Sequence, residues 1–246
     1  MIHSRKRGER QLAQPTTGRP NNVFEQTIAR LLRAIRLGQY LVGDKLPAER
    51  ELAADLGVSR ATLRQALGEL HTAGIVEVRR GRYGGTFVTA LPSAEAGGGV
   101  DPTELSDALA FRRILECAAA RITAGRELGA DERSRLRAAE AACAAERDST
   151  SAEHFRALDS RFHLCIAELT GIPSLVQAAA TTRDRVNAYL NQIPFIHTNI
   201  THACAQHHEL MEAILKGDPE TAEALAAQHA EGTEELLRGF LELQSE

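Results

Sequence analysis

Asp159 and His163 stand four residues apart, a spacing that puts a carboxylate and an imidazole on one face of a helix. Both are ligands for divalent metals, and a protein site needs about three or four such groups. His207 and His229 supply the others if the chain between them folds as a hairpin. Gly217 follows His207 by ten residues and ends its helix; Asp218-Pro219 opens the next, and His229 lies eleven residues beyond Asp218. At ~1.5 Å per residue the chain climbs roughly 15 Å and returns roughly 16 Å, so the two imidazoles reach the same height. If Asp159 and His163 face them, the result is a His3Asp cluster inside a bundle, with coordination positions open to a ligand. Three imidazoles and a carboxylate suit Zn, Ni, Mn or Fe, with Zn the first candidate. The plainer alternative is four core or surface residues that happen to align. His208 points about 100° away from His207 on a helix and is not expected to join. His154, His197 and His202 lack a matching register, and Cys204, one turn before His207, would place a sulfur nearby.

The elements that must hold this cluster are helices. Asp101-Pro102-Thr103-Glu104 has a cap, a proline at the first position and an acid at the third, which marks a helix start. Further starts are expected at Asp131, Ser151, Ser174 with Gln177 as capping-box partner, about Thr201, and Asp218-Pro219. That gives six helices with short connections over residues 102–242, an antiparallel bundle. Ahead of it, residues 91–101 carry proline, serine and the Gly97-Gly98-Gly99 triplet and read as a linker. Residues 1–21 read as a basic, disordered tail.

Residues 22–90 read as a different unit. Val23, Thr27, Ile28, Leu31, Leu32 and Ile35 recur at helical spacing up to Gly38. Glu49 to Leu56 is a short helix broken by Gly57, and Ser59 caps a third helix running to about Ala73. Two β-like runs, Ile75–Val78 and Thr86–Thr89, flank a loop rich in arginine and glycine. Leu52 and Leu56 face a core, Ala53 is small where a second helix crosses, Val58 plugs the turn, and Leu63 and Ala66 anchor the next helix. These steric choices together define a winged helix-turn-helix. A recognition helix reads bases with its first turns, and here those turns carry Ser59, Arg60, Thr62 and Arg64. An arginine fork matches the O6/N7 edge of guanine; a threonine bonds a phosphate or meets a thymine methyl. Arg50 would reach a phosphate or a base. Wing residues Arg80, Gly81 and Arg82 fit phosphate and the minor groove.

Charge agrees with this division. Residues 1–90 hold 15 Lys and Arg against 8 Asp and Glu, and the remainder holds 14 against 25. A basic module on an acidic partner is what a DNA-binding unit fused to a sensor would show. No run of about 18 apolar residues is present, so no membrane span is expected. The four cysteines form no C-x-x-C pair and read as reduced residues of a cytoplasmic protein.

The stretch LPAERELAADLGVSRATLRQALGEL followed by GIVEVRRGRYGGTFV resembles the GntR family of bacterial regulators over residues 22–89. That resemblance implies DNA contacts from Arg50, Arg60, Arg64 and Gly81, with Arg80 at a position where members vary. Phe111 to Glu116, Asp159 to His163 and HHELMEAILKGDPETAEALAAQH resemble the FCD ligand-binding domain of the FadR-type subfamily, in its shorter six-helix, VanR-like form. It implies Asp159, His163, His207 and His229 as metal ligands and a small carboxylate as effector. It also makes Arg112 a candidate for binding that carboxylate, the alternative being an ion pair with Glu116 at i+4. Members often carry Asn where this chain has Ile172.

The expected function is a ligand-responsive DNA-binding regulator, a repressor on the resemblance. One short recognition helix buries too little surface for selectivity, so a homodimer on palindromic double-stranded DNA is expected. Two alternatives remain: a purely structural metal with the effector elsewhere, or a metal hydrolase carrying a DNA-binding unit. An enzyme is not expected, because Glu168, the nearby acid, falls on another face.

Overall fold

The computed structural model describes residues 22–36, 39–81, 84–90, 101–148 and 152–241. The basic tail, most of the linker and the wing-tip residues Arg82 and Tyr83 lie outside them. Among the described residues the order is three helices, α1 (Val23–Arg36), α2 (Glu49–Leu56) and α3 (Arg60–Thr72), then strands β1 (Val76–Arg79) and β2 (Gly85–Val88). Six helices follow: α4 (Pro102–Ala124), α5 (Ala130–Ala145), α6 (Ala152–Leu169), α7 (Pro173–Leu190), α8 (His197–Lys216) and α9 (Pro219–Phe240). None of them is long and apolar enough to cross a membrane.

The turn between α2 and α3 forms because Gly57 accepts a left-handed backbone, φ 67°, and donates to the carbonyls at the end of α2. Ser59 then caps α3, its hydroxyl accepting from Thr62 N–H at 3.0 Å. The strands pair antiparallel from Val76↔Val88 to Arg79↔Gly85, and a bridge from Lys45 to Phe87 ties the wing to the α1–α2 connection.

Helix α1 is buried on two sides. Phe24, Ile28, Leu31, Leu32 and Ile35 join Leu52, Leu63 and Leu70 of the winged unit in one cluster. The same cluster takes in Leu105 and Leu109 of α4 and Leu236, Leu237 and Phe240 of α9. The approach is close: a Cβ on Gly239 of α9 would stand 2.9 Å from Ala29 Cα. A second core, around Leu136, Phe162, Leu169, Leu210 and Ala226, holds the bundle together beneath the cluster.

The expected start at Ser151 lies outside the described residues, and two other helix starts differ from the sequence expectation. Helix α7 begins with Pro173 in its first turn and Ile172 as an uncapped N-cap, so the Ser174–Gln177 capping box does not form. The proline ring presets φ at the first helical position, and its missing N–H removes one of the orphan donors of the helix end. Helix α8 begins at His197, a turn earlier than Thr201. One of its free N-terminal donors is met from another element: Glu69 of α3 accepts from Thr198 N–H at 3.0 Å, and also from the Thr198 hydroxyl at 2.6 Å.

Candidate metal centre and DNA-facing surface

Helix α6 presents Asp159 and His163, α8 presents His207, and α9 presents His229. All four are buried, and each offers one ligand atom within 4.8 Å of the other three. The hairpin expectation is met in the distances: His207 Nε2 lies 3.4 Å from His229 Nε2, 3.1 Å from His163 Nε2 and 3.3 Å from Asp159 Oδ1. The His208 side chain is exposed and faces Glu140 instead, and Cys204 Sγ points at the Cys143 carbonyl.

The chemistry of this donor set fits a divalent cation. Three Nε2 atoms converge where they have only one another and a carboxylate as partners. On the outer side, His229 Nδ1 lies 3.1 Å from Gln206 Oε1, His207 Nδ1 lies 3.7 Å from Cys143 Sγ, and His163 Nδ1 faces Glu116 Oε2 at 3.8 Å, beyond hydrogen-bond length. A proton on Nδ1, which the Gln206 oxygen favours for His229, leaves the Nε2 lone pair pointing inward, the arrangement of metal-bound imidazoles with outer partners. Burial, reinforced by Arg183 and the neighbouring imidazoles, holds the His163 pKa well below its ordinary value of 6.5. Burial, then His207 and Arg112, does the same for His229. Burial also brings His207 down to about 4, against the opposing pull of Asp159. Neutral imidazoles at pH 7 are ready to ligate without releasing protons.

Two buried guanidiniums border the cluster. Arg112 Nε donates to Glu116 Oε1 at 2.9 Å, and Arg183 donates to the same oxygen and to Asp159 Oδ2. Burial alone would lower the Arg183 pKa, but Asp159 and Glu116 overcome it and raise the value. Among the described residues, Arg112 Nη1 and Arg183 Nε have no hydrogen-bond partner. Arg112, Asp159, Arg183 and His229 line a cleft together with apolar side chains that include Val186 and Leu236. Arg112 therefore makes the ion pair with Glu116 and also borders the cleft. Arg183 was not singled out from the sequence. Its signal is the stripe Ala179, Thr182, Arg183 and Val186, which α7 buries at helical spacing.

Arg50, Ser59, Arg60, Arg64, Arg80 and Gly81 are exposed, and Thr62 is half-buried with its hydroxyl 2.8 Å from that of Ser59. Arg64 Nε pairs with Glu49 at 2.7 Å and Arg60 approaches the same carboxylate at 3.9 Å. Exposed pairs of this kind are weak, so both forks can turn to DNA at little cost. Gly81 takes φ 106°, a conformation that favours glycine. Arg82 falls outside the described residues.

A winged helix-turn-helix joined to a helical bundle with a buried ligand cluster defines a ligand-responsive transcription regulator. Residues 24–88 match the family model for bacterial regulatory proteins of the gntR family, and residues 107–232 match the FCD domain. The chain belongs to the GntR family and carries an FCD domain as its C-terminal part. It is 33% identical over 211 residues to RmpR of Mycobacterium gastri, assigned as an HTH-type transcriptional regulator, covering 82% of this chain and 75% of that one. It is 29% identical over 232 residues to the Exu regulon transcriptional regulator of Escherichia coli K12, covering 89% and 85%. Among solved structures, E. coli McbR/YncC matches with a TM-score of 0.52 at 18% identity, covering 87% of this chain and 96% of that one, a likeness of fold alone.

Proposed function

We propose that this regulator binds a palindromic operator as a homodimer, holds one divalent ion on Asp159, His163, His207 and His229, and takes a small carboxylate as its effector. The observation that carries this reading is the charge balance around the cluster. Two guanidiniums face two carboxylates while the three imidazoles are neutral, so the apo site has no net charge to spare. A divalent ion would leave it about two charges positive in a buried setting, where an uncompensated charge is costly. An acid entering the cleft offsets one of these charges with each carboxylate it carries. The ion provides an electrophilic position for one carboxylate oxygen, Zn being first choice and Ni, Mn or Fe suiting the same donors. The unpartnered Arg112 Nη1 and Arg183 Nε offer charge-assisted hydrogen bonds to another. Glu168 is engaged with Arg135 and Arg161 on the outside, so it does not favour a hydrolase. Phe111 and Ile114, exposed one turn apart on α4, support a second copy as partner.

The test is metal content and operator affinity. Purified protein carries about one ion per chain, and His207→Ala loses it. The effector changes operator affinity roughly 5- to 150-fold, a coupling of ~1–3 kcal/mol, with release for a repressor, and Asp159→Ala abolishes the change. An acid that binds metal-free protein equally well and still releases DNA would make the metal structural.

On DNA, Arg60→Ala and Arg64→Ala each cost ~1–3 kcal/mol of specific binding if the fork holds a guanine. The loss is read as the ratio of operator to scrambled-site affinity. Operator binding at the parent level by both variants would place the recognition helix elsewhere.

A further inference from the structure

His229 reaches the metal centre through one ring nitrogen, and its other is held by a residue chain that leaves the bundle. Nδ1 lies 3.1 Å from Gln206 Oε1. Gln206 Nε2 donates to Asn22 Oδ1 at 3.0 Å, and Asn22 Nδ2 donates to the Gln228 backbone carbonyl at 2.7 Å. Asn22 is 1% exposed and stands immediately before α1, the first helix of the winged unit. Gly232, in the turn of α9 after His229, leaves room for it: a Cβ there would come to 3.4 Å from Asn22 Oδ1.

The polarity of this chain has one consistent reading. A backbone carbonyl only accepts, so Asn22 must turn its amide nitrogen to Gln228 and its oxygen to Gln206. Gln206 then has its nitrogen committed and shows its oxygen to His229. An amide oxygen only accepts, so Nδ1 carries the proton and Nε2 keeps its lone pair for the cluster. Flipping Asn22 would set oxygen against oxygen at Gln228 and NH2 against NH2 at Gln206. These groups are buried or half-buried, where unmade hydrogen bonds are costly.

We propose that Asn22 is a positioning residue for the metal centre: through Gln206 it fixes the tautomer and orientation of His229. Docking of α1 on α9 and metal binding are thereby linked. This rests on the metal reading given above. Outer partners of metal-bound histidines are worth about 10- to 100-fold in affinity. By reciprocity, the ion favours the docked arrangement of α1 by the factor that docking adds to metal affinity. The winged unit and the centre then communicate through three side chains.

The experiment measures Co(II) and Zn(II) affinity of the full chain by competition with a chromophoric chelator, together with the Co(II) absorption spectrum. Asn22→Ala and Gln206→Ala should each lower affinity about 10-fold or more and alter the Co(II) bands. Gln206→Glu should recover most of the affinity that Gln206→Ala loses, because its carboxylate accepts from His229 Nδ1–H, although it also sets an oxygen against Asn22 Oδ1. Adding Asn22→Ala to Gln206→Glu removes that opposition and should not lower affinity further. Parental affinity and spectrum in Asn22→Ala, with His229→Ala losing the ion, would overturn the relay while leaving the metal reading intact. Full metal retention by His229→Ala would overturn the metal reading itself, and the relay with it. If Asn22→Ala does not fold, the Gln206 pair decides: loss in Gln206→Ala with recovery in Gln206→Glu supports the relay, and equal affinity in both overturns it.

Discussion

Replacing Arg183 by methionine is expected to cost the metal-free protein about 3–5 kcal/mol, the range for removing one member of a buried ion pair. The size follows from what is left behind. Arg183 donates to Glu116 and Asp159, and the three side chains are 5%, 7% and 12% exposed. Without the guanidinium, Asp159 loses its cationic partner, and Glu116 keeps Arg112 and the more distant His163 ring. A divalent ion on Asp159 replaces part of the missing charge, so the penalty shrinks when the site is loaded. Thermal unfolding should show both effects. At ~2–4 °C per kcal/mol for a chain of this size, chelated Arg183→Met should melt roughly 6–20 °C below the parent, and the gap should narrow with Zn. Arg183→Lys keeps a charge but not a fork that spans two carboxylates, and it should fall between. A chelated Arg183→Met that melts with the parent would show that the two acids are relieved some other way.

Local rules carried the sequence reading far. Gly57, Ser59 and Leu63 specify the helix-turn-helix by sterics within a few residues. Likewise, the heights of His207 and His229 follow from two helix lengths and one turn. What escaped was set by distant partners. The early start of α8 depends on Glu69, 129 residues from Thr198, supplying a cap that no neighbour of His197 announces. Arg183 sits in the polar run Thr181-Thr182-Arg183-Asp184-Arg185, which reads as a solvated face; only the stripe with Ala179 and Val186 turns it inward. Asn22 and Gln206 are polar residues with no periodic signature, and their roles appear only when α1 lies against α9. The same holds for Arg112, where spacing permits the Glu116 pair and the fold adds the bordering cleft.

Acid should destabilise the metal-free protein steeply below pH 6.5. In the folded chain His163 and His229 have pKa values well below 6.5, and His207 is at about 4, first through burial in each case. In the unfolded chain all three return to about 6.5. Between those limits the unfolded state binds more protons, so stability rises with pH there. The contribution is complete above pH 6.5 and is lost as pH falls, for His207 until about pH 4. Each group gives at most about 1.4 kcal/mol per pH unit, so three acting together approach about 4 kcal/mol per unit. Against a total stability of about 5–15 kcal/mol, that places acid unfolding of the chelated protein at about pH 5 for the low end of the range and below about pH 4 for the high end. A bound ion must be displaced before the imidazoles protonate, so the loaded protein should hold out to lower pH. Urea unfolding at half-unit steps from pH 7.5 to 5 measures the slope directly. His229→Gln should remove about a third of it, since one of three titrating groups is gone. A flat profile in the parent, or an unchanged slope in His229→Gln, would mean that the imidazoles are not the buried neutral bases on which metal binding depends.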